Sequence, residues 1–180
     1  MTLRCVYDTM LFVAWAHALD DQKKATIQAL DDGRLKLVMS QEAIDEIRDV
    51  LDRPWLQARL GYTTARVGRI IDETLRLAEW VHDVPRAFTW PHHPDDDHHF
   101  NFAIAAKADR FVTRETRIRD IEKNFPADAA RLWSLALQLR IVEPRELAAE
   151  LGADREAEAQ REAEVTPKWS ATSWHVRPGA

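Results

Sequence analysis

The chain has 180 residues, 46% of them apolar, enough for one domain with a sizeable buried core. A formal net charge of −5 excludes a global attraction to nucleic acid, so a phosphate substrate has to be held by bound cations and a local basic patch. The single cysteine, Cys5, excludes an internal disulfide framework; inside an apolar run it reads as a small buried hydrophobe of a reducing, cytoplasmic compartment.

Leu3–Tyr7 (LRCVY) is a short apolar run that ends at Asp8-Thr9, and it reads as a central strand delivering Asp8 to its carboxyl end. Asp8 also interrupts the run too early for a signal peptide, and nothing later approaches the length of a membrane span. Residues 10–18 (MLFVAWAHA) read as a buried helix and 22–30 as a more amphipathic one, stopped by Asp31-Asp32-Gly33. Leu35–Met39 (LKLVM) is a second strand. Ser40 has the chemistry of an N-cap for a helix with Ile44, Ile47, Val50 and Leu51 on its inward stripe and Pro54 at its end. Glu46 lies about a turn and a half into that helix. Residues 63–81 carry Val67, Ile70, Ile71, Leu75, Leu77 and Ala78 close to helical spacing, which predicts one long helix capped by Thr63 or Thr64.

The stretch 91–115, PHHPDDDHHFNFAIAAKADRFVTRE, runs acid, helix, strand, acid. Phe100, Ala103, Ile104 and Ala106 mark one face of a helix that opens at Asp97, and 110–113 reads as a third strand leading to Glu115. Asp95, directly after Pro94, reads as a solvated loop charge, and Asp96 as an N-cap or second ligand. Residues 139–142 (LRIV) form a fourth strand, and Pro144 opens a short helix, 145–151, closed by Gly152. Helices alternating with short strands predict an α/β domain over residues 1–152 with a mostly parallel sheet of about four strands. Beyond it, residues 153–180 turn Ala/Glu/Arg-rich and then Pro- and Gly-bearing. They read as a charged helical or disordered tail, in which Trp169 and Trp174 are anchors only if a partner offers a groove.

Four acids, Asp8, Glu46, Asp97 and Glu115, are brought together by these placements, because open α/β sheets build their sites outside the carboxyl ends of the strands. Clustered carboxylates repel one another unless a hard divalent cation such as Mg²⁺ or Mn²⁺ takes their oxygens. The ordered set VYDT, VMSQEAIDEIRDVLDRP, HPDDDHHFNFAIAAKADRFVTRE and IVEPREL resembles the PIN-domain family over roughly residues 3–151, in particular the toxin components of bacterial toxin-antitoxin modules. The resemblance implies a PIN-like three-layer fold and a Mg²⁺- or Mn²⁺-dependent endoribonuclease. Asp8, Glu46, Asp97 and Glu115 are then the catalytic and metal-ligating acids, with Thr9 and Thr113 as hydrogen-bonding support. An RNA substrate, a cognate antitoxin protein and a homodimer are the partners it implies. Two positions depart from the pattern: Met10 stands where the family has an amide side chain two residues after its first acid, and Glu115 where it has Asp. The alternative is therefore a catalytically weak PIN scaffold that binds RNA or protein.

His92, His93, His98 and His99 flank the acids, and imidazole suits zinc, nickel or copper better than magnesium. Adjacent histidines on a helix point about 100° apart, so at most one of each pair is expected to face a given site, and the four read as loop and surface residues. Arg114, Arg117 and Arg119 follow the third strand and are placed to contact RNA phosphates.

Overall fold

The computed structural model describes residues 2–17 and 21–165. Five strands, β1 (Leu3–Tyr7), β2 (Leu35–Met39), β3 (Ala78–Trp80), β4 (Arg110–Val112) and β5 (Arg140–Val142), form one sheet in the order β3-β2-β1-β4-β5. Every pairing is parallel, with Cys5 opposite both Leu37 and Arg110. Strand side chains alternate between faces, and two cores result. Cys5, Tyr7, Leu37, Met39, Val112 and Val142 enter one; Val6, Val38 and Phe111 enter the other.

The first core is closed by α1 (Thr9–His17), α2 (Asp21–Asp31), α3 (Gln41–Leu51), α4 (Pro54–Leu60), α5 (Thr64–Leu77) and α10 (Pro144–Val165). The second is closed by α6 (Asp97–Ala105), α7 (Thr116–Arg119), α8 (Ile121–Asn124) and α9 (Pro126–Leu135), together with the loop that carries Phe88 and Trp90. Helices on both faces of an all-parallel sheet make a three-layer α/β fold. The predicted caps form: Ser40 Oγ accepts the Ala43 N–H at 3.2 Å and Thr63 Oγ1 the Arg66 N–H at 3.3 Å.

Three expectations are corrected. The sheet has five strands, because the helix predicted over 63–81 stops at Leu77 and the chain turns extended at Ala78 (ψ 143°) to pair with β2. Glu79 is held there by Arg4, and by Lys36 at 3.3 Å. Pro54 not only ends α3 but opens α4, whose C-cap is Gly61 at φ 69°; a left-handed cap is the conformation glycine adopts without strain. Finally, Gly152 does not close the last helix, which continues to Val165. Leu151 is buried in the first core, and Arg155 beyond the glycine reaches Gln28 Oε1 of α2 at 3.1 Å. The Ala, Glu and Arg residues that follow have high helix propensity and outweigh the roughly 1 kcal/mol cost of one helical glycine. Trp169 and Trp174 lie outside the described residues.

The strand order reverses at β1: β2 and β3 lie to one side, β4 and β5 to the other. The carboxyl ends of β1 and β4 therefore flank the crevice where such sheets bind ligands, and Asp8 and Thr113 are the residues that leave those ends.

Candidate metal centre

Asp8 follows β1 and is only 7% exposed. Its Oδ1 accepts the Met10 N–H at 2.8 Å, so it caps α1, and its Oδ2 accepts the Thr113 hydroxyl at 2.5 Å. Thr113 is fully buried and also accepts the Glu115 N–H on Oγ1 at 2.9 Å. One hydroxyl thus joins the acid after β1 to the backbone of the acid after β4. The Met10 side chain is exposed and only its backbone enters the site.

Glu46 comes from α3 on the other side of the crevice. Its Oε2 lies 3.2 Å from His98 Nε2, and the Thr9 side chain hydrogen-bonds it as well. Burial alone would raise the Glu46 pKa, but the His98 hydrogen bond, the His99 and His98 charges and Thr9 together bring it below the ordinary value. The hydrogen bond to Glu46 is the main reason that His98 sits above its ordinary value. His99 is displaced the other way, first by burial and then by His98, with Glu46, Asp8 and Asp96 opposing. One donor atom from each of Glu46, His98 and His99 lies within 4.8 Å of the others. The expectation that at most one of His98 and His99 faces the site is thus overturned: their rings turn toward each other, with centroids 3.9 Å apart.

The three consecutive aspartates separate by orientation. Asp95 is exposed, as expected. Asp97 is 3% exposed and lines the same cavity as His98. One oxygen accepts the buried Trp90 N–H in a very short bond and the other lies 3.2 Å from Arg86 Nη2. With Asn101, whose Oδ1 accepts the Ala87 and Phe88 N–H groups at 2.7 Å each, it clasps the loop that fills the second core. Asp96 faces Arg117 instead. Its Oδ2 is buried without a hydrogen bond, 3.4 Å from Arg117 Nε, and that same nitrogen is 3.9 Å from Glu115 Oε1. The structure links Asp8 to the Glu115 backbone through Thr113 and Asp96 to Glu115 through Arg117, and pairs Glu46 with His98; the donor atoms that converge within 4.8 Å among the described residues are those of Glu46, His98 and His99. A single turn of 3-10 helix, Pro94–Asp96, shifts where the acids point relative to the start of α6. Asp96 and His99, three residues apart, share one face, and that spacing was the available signal for both.

Of the three arginines, Arg114 and Arg117 are exposed, Arg114 reaching Gln22 Oε1 at 3.1 Å. Arg119 is tied instead to Glu143, just past β5. A cavity of about 250 Å³ lined by Glu42, Val84, Arg86, Pro94, Asp97, His98 and Asn101 adjoins the cluster.

A three-layer all-parallel fold, with Asp8 and Thr113 leaving the strands where the sheet order reverses, puts these residues where such sheets bind ligands. The PIN domain family model matches residues 4–117, which include all of these acids, and the chain belongs to the PIN domain family. Proteins of this family are in general metal-dependent nucleases. No curated protein and no solved structure matches the chain. Among the described residues no helix is long and apolar enough to cross a membrane.

Proposed function

We propose that this chain is a metal-dependent endoribonuclease acting as the toxin of a toxin-antitoxin pair, with Mg²⁺ or Mn²⁺ held by Asp8, Glu46, Asp96 and Glu115. The observation that carries this reading is the linkage of acids across the two central strand ends, Asp8 through Thr113 to Glu115 and Glu115 through Arg117 to Asp96. The donor set fits such an ion: it is dominated by carboxylate oxygens, and one of them, Asp96 Oδ2, is buried without a hydrogen bond. When bound, the metal supplies Lewis acidity and an activated water for attack on a phosphodiester. Asp8 is the fixed member, its two oxygens oriented by the Met10 N–H and the Thr113 hydroxyl. Glu115 is exposed at the rim and its backbone is set by Thr113, so its longer side chain reaches inward from the solvent side. Arg114 and Arg117 are exposed next to the acids and meet the phosphates that flank the scissile bond. In this reading Asp97 positions the loop behind the site and ligates nothing.

The test is cleavage of single-stranded RNA over a Mn²⁺ series. Asp8→Asn and Asp96→Asn should each abolish cleavage while the protein stays folded, and Asp97→Asn should retain cleavage wherever it remains folded. A dead but folded Asp97→Asn beside an active Asp96→Asn would return the ligand role to Asp97. The exposed Met10, which brings no side-chain amide to the site, favours one second reading, a catalytically weak scaffold. Absence of cleavage by wild type with every divalent ion tested would select it. Growth arrest on expression, relieved by a small protein encoded beside the chain, tests the toxin role and the antitoxin partner together. Sedimentation of the purified chain tests the homodimer.

A further inference from the structure

Three metal-ligating side chains in the crevice are not the carboxylate set described above. Glu46, on α3, and His98 and His99, in the first turn of α6, bring one donor atom each to within 4.8 Å of the others. Sequence neighbours on a helix diverge by about 100°, so two consecutive imidazoles converge only if their rings are steered. Both are steered here. His98 is drawn to Glu46 Oε2 at 3.2 Å, and His99 is laid against Phe111 of β4, with ring centroids 5.8 Å apart. The two rings end 3.9 Å apart, centroid to centroid. Glu46, Asp8 and Asp96 act on His99 in the direction that favours positive charge, against burial and His98.

We propose that Glu46, His98 and His99 form a nitrogen-rich cation site that takes a first-row transition-metal ion of the Co²⁺ or Zn²⁺ class in preference to Mg²⁺. Two imidazole nitrogens and one carboxylate oxygen are a donor set for borderline ions, whose affinity for N/O sites rises along the series from Mn²⁺ toward Cu²⁺. Mg²⁺ prefers oxygen donors and near-ideal octahedral geometry, and sheds its water reluctantly. The site shares Glu46 with the proposed nuclease centre and rests on that reading only in placing the cation beside the scissile phosphate. Cation binding itself needs no nuclease activity.

The experiment uses untagged full-length protein stripped with chelator. Co²⁺ is followed by its visible absorption, which reports nitrogen ligation, and Co²⁺ and Mg²⁺ by calorimetry. Wild type should bind Co²⁺ more tightly than Mg²⁺ by about tenfold or more. The His98→Ala, His99→Ala double variant should lose the visible bands and weaken Co²⁺ by about tenfold or more, with Mg²⁺ affinity unchanged. His98→Ala alone, where the side chain is 48% exposed and little packing is lost, must show the same direction if the double variant does not fold. Unchanged Co²⁺ binding and bands in the folded variants, or equal Co²⁺ and Mg²⁺ affinity in wild type, would overturn the proposal. If the variants lose Co²⁺ while wild type cleaves RNA with no ion, the site stands and the nuclease reading falls. If Asp8→Asn loses cleavage while the histidine variants bind Co²⁺ as wild type does, the nuclease reading stands and this site falls.

Discussion

Asp96 and Asp97 show how one residue of register separates a ligand candidate from a structural clasp. Asp97 accepts the buried Trp90 N–H, so Asp97→Ala leaves that donor unsatisfied and should cost about 1–3 kcal/mol in urea unfolding of metal-free protein. Asp96 Oδ2 makes no hydrogen bond and is ion-paired with the exposed Arg117 at 3.4 Å, so Asp96→Ala should cost less, within about 0.2–1 kcal/mol. Equal losses in the two variants would remove the distinction. Asp8 was legible from sequence because a strand followed by an acid admits few placements. The choice among Asp95, Asp96 and Asp97 was not, because one 3-10 turn before α6 rotates each carboxylate relative to an α-helical count. His99 escaped for a related reason. A 100° step per residue sets where the Cβ points, but Glu46 and Phe111, neither of them a neighbour on the helix, decide where each ring ends.

At the level of elements, long periodic helices and the apolar strands β1, β2, β4 and β5 were legible, whereas β3 was not. Its three residues continue a helical pattern, and only pairing with β2 and the Arg4 and Lys36 contacts to Glu79 make them extended. Tertiary contacts of that kind leave no local signal. The end of α10 was misread because a glycine stops a helix only when the chain needs a left-handed cap there. Gly152 sits within the helix with open space where a Cβ would project, so Gly152→Ala should raise stability by about 0.5–1 kcal/mol. Gly61, at φ 69°, should respond to the same change with a loss of similar size, and thermal melts of the pair check both signs.

Helix α10 is also fastened to the sheet by charge. Arg110, buried in β4, donates from Nε to Glu150 at 2.9 Å, and its hydrogen bond is the chief cause that holds the Glu150 carboxyl below its ordinary value of 4.5. A depressed folded pKa means that this contribution is complete above pH 4.5 and is lost as pH falls through the folded value. Glu150→Gln should destabilise the protein by about 1–3 kcal/mol at neutral pH, since it leaves a buried guanidinium without its counter-charge. The gap from wild type should narrow progressively below pH 4.5. A gap constant across acid titration would show that the pair is not ionised in the folded state.

For the whole molecule, the decisive feature is that the acids belong to elements packed into different cores. Asp8 follows β1, which feeds both, and Glu46 rides on α3 of the first core. Asp96 opens α6 of the second, and Glu115 leaves β4 where the two meet. Glu46 and Asp96 each have a positive neighbour, His98 at 3.2 Å and Arg117 at 3.4 Å. A divalent ion bound across these acids would tie the two layers of helices to each other past the carboxyl ends of β1 and β4. A ligand that binds only the folded state stabilises by RT ln(1 + [L]/Kd), about 2.7 kcal/mol at a hundredfold excess over Kd. For a chain of this length that corresponds to roughly 5–11 °C in the thermal midpoint. Saturating Mn²⁺ should therefore raise the midpoint of wild type by several degrees. Asp8→Asn should gain much less from Mn²⁺, because the fixed ligand is gone. Asp95→Asn, which changes an exposed charge outside the cluster, should respond as wild type does. Equal Mn²⁺ shifts in wild type and Asp8→Asn would mean that the ion binds elsewhere and that the crevice between the two cores is not the metal centre.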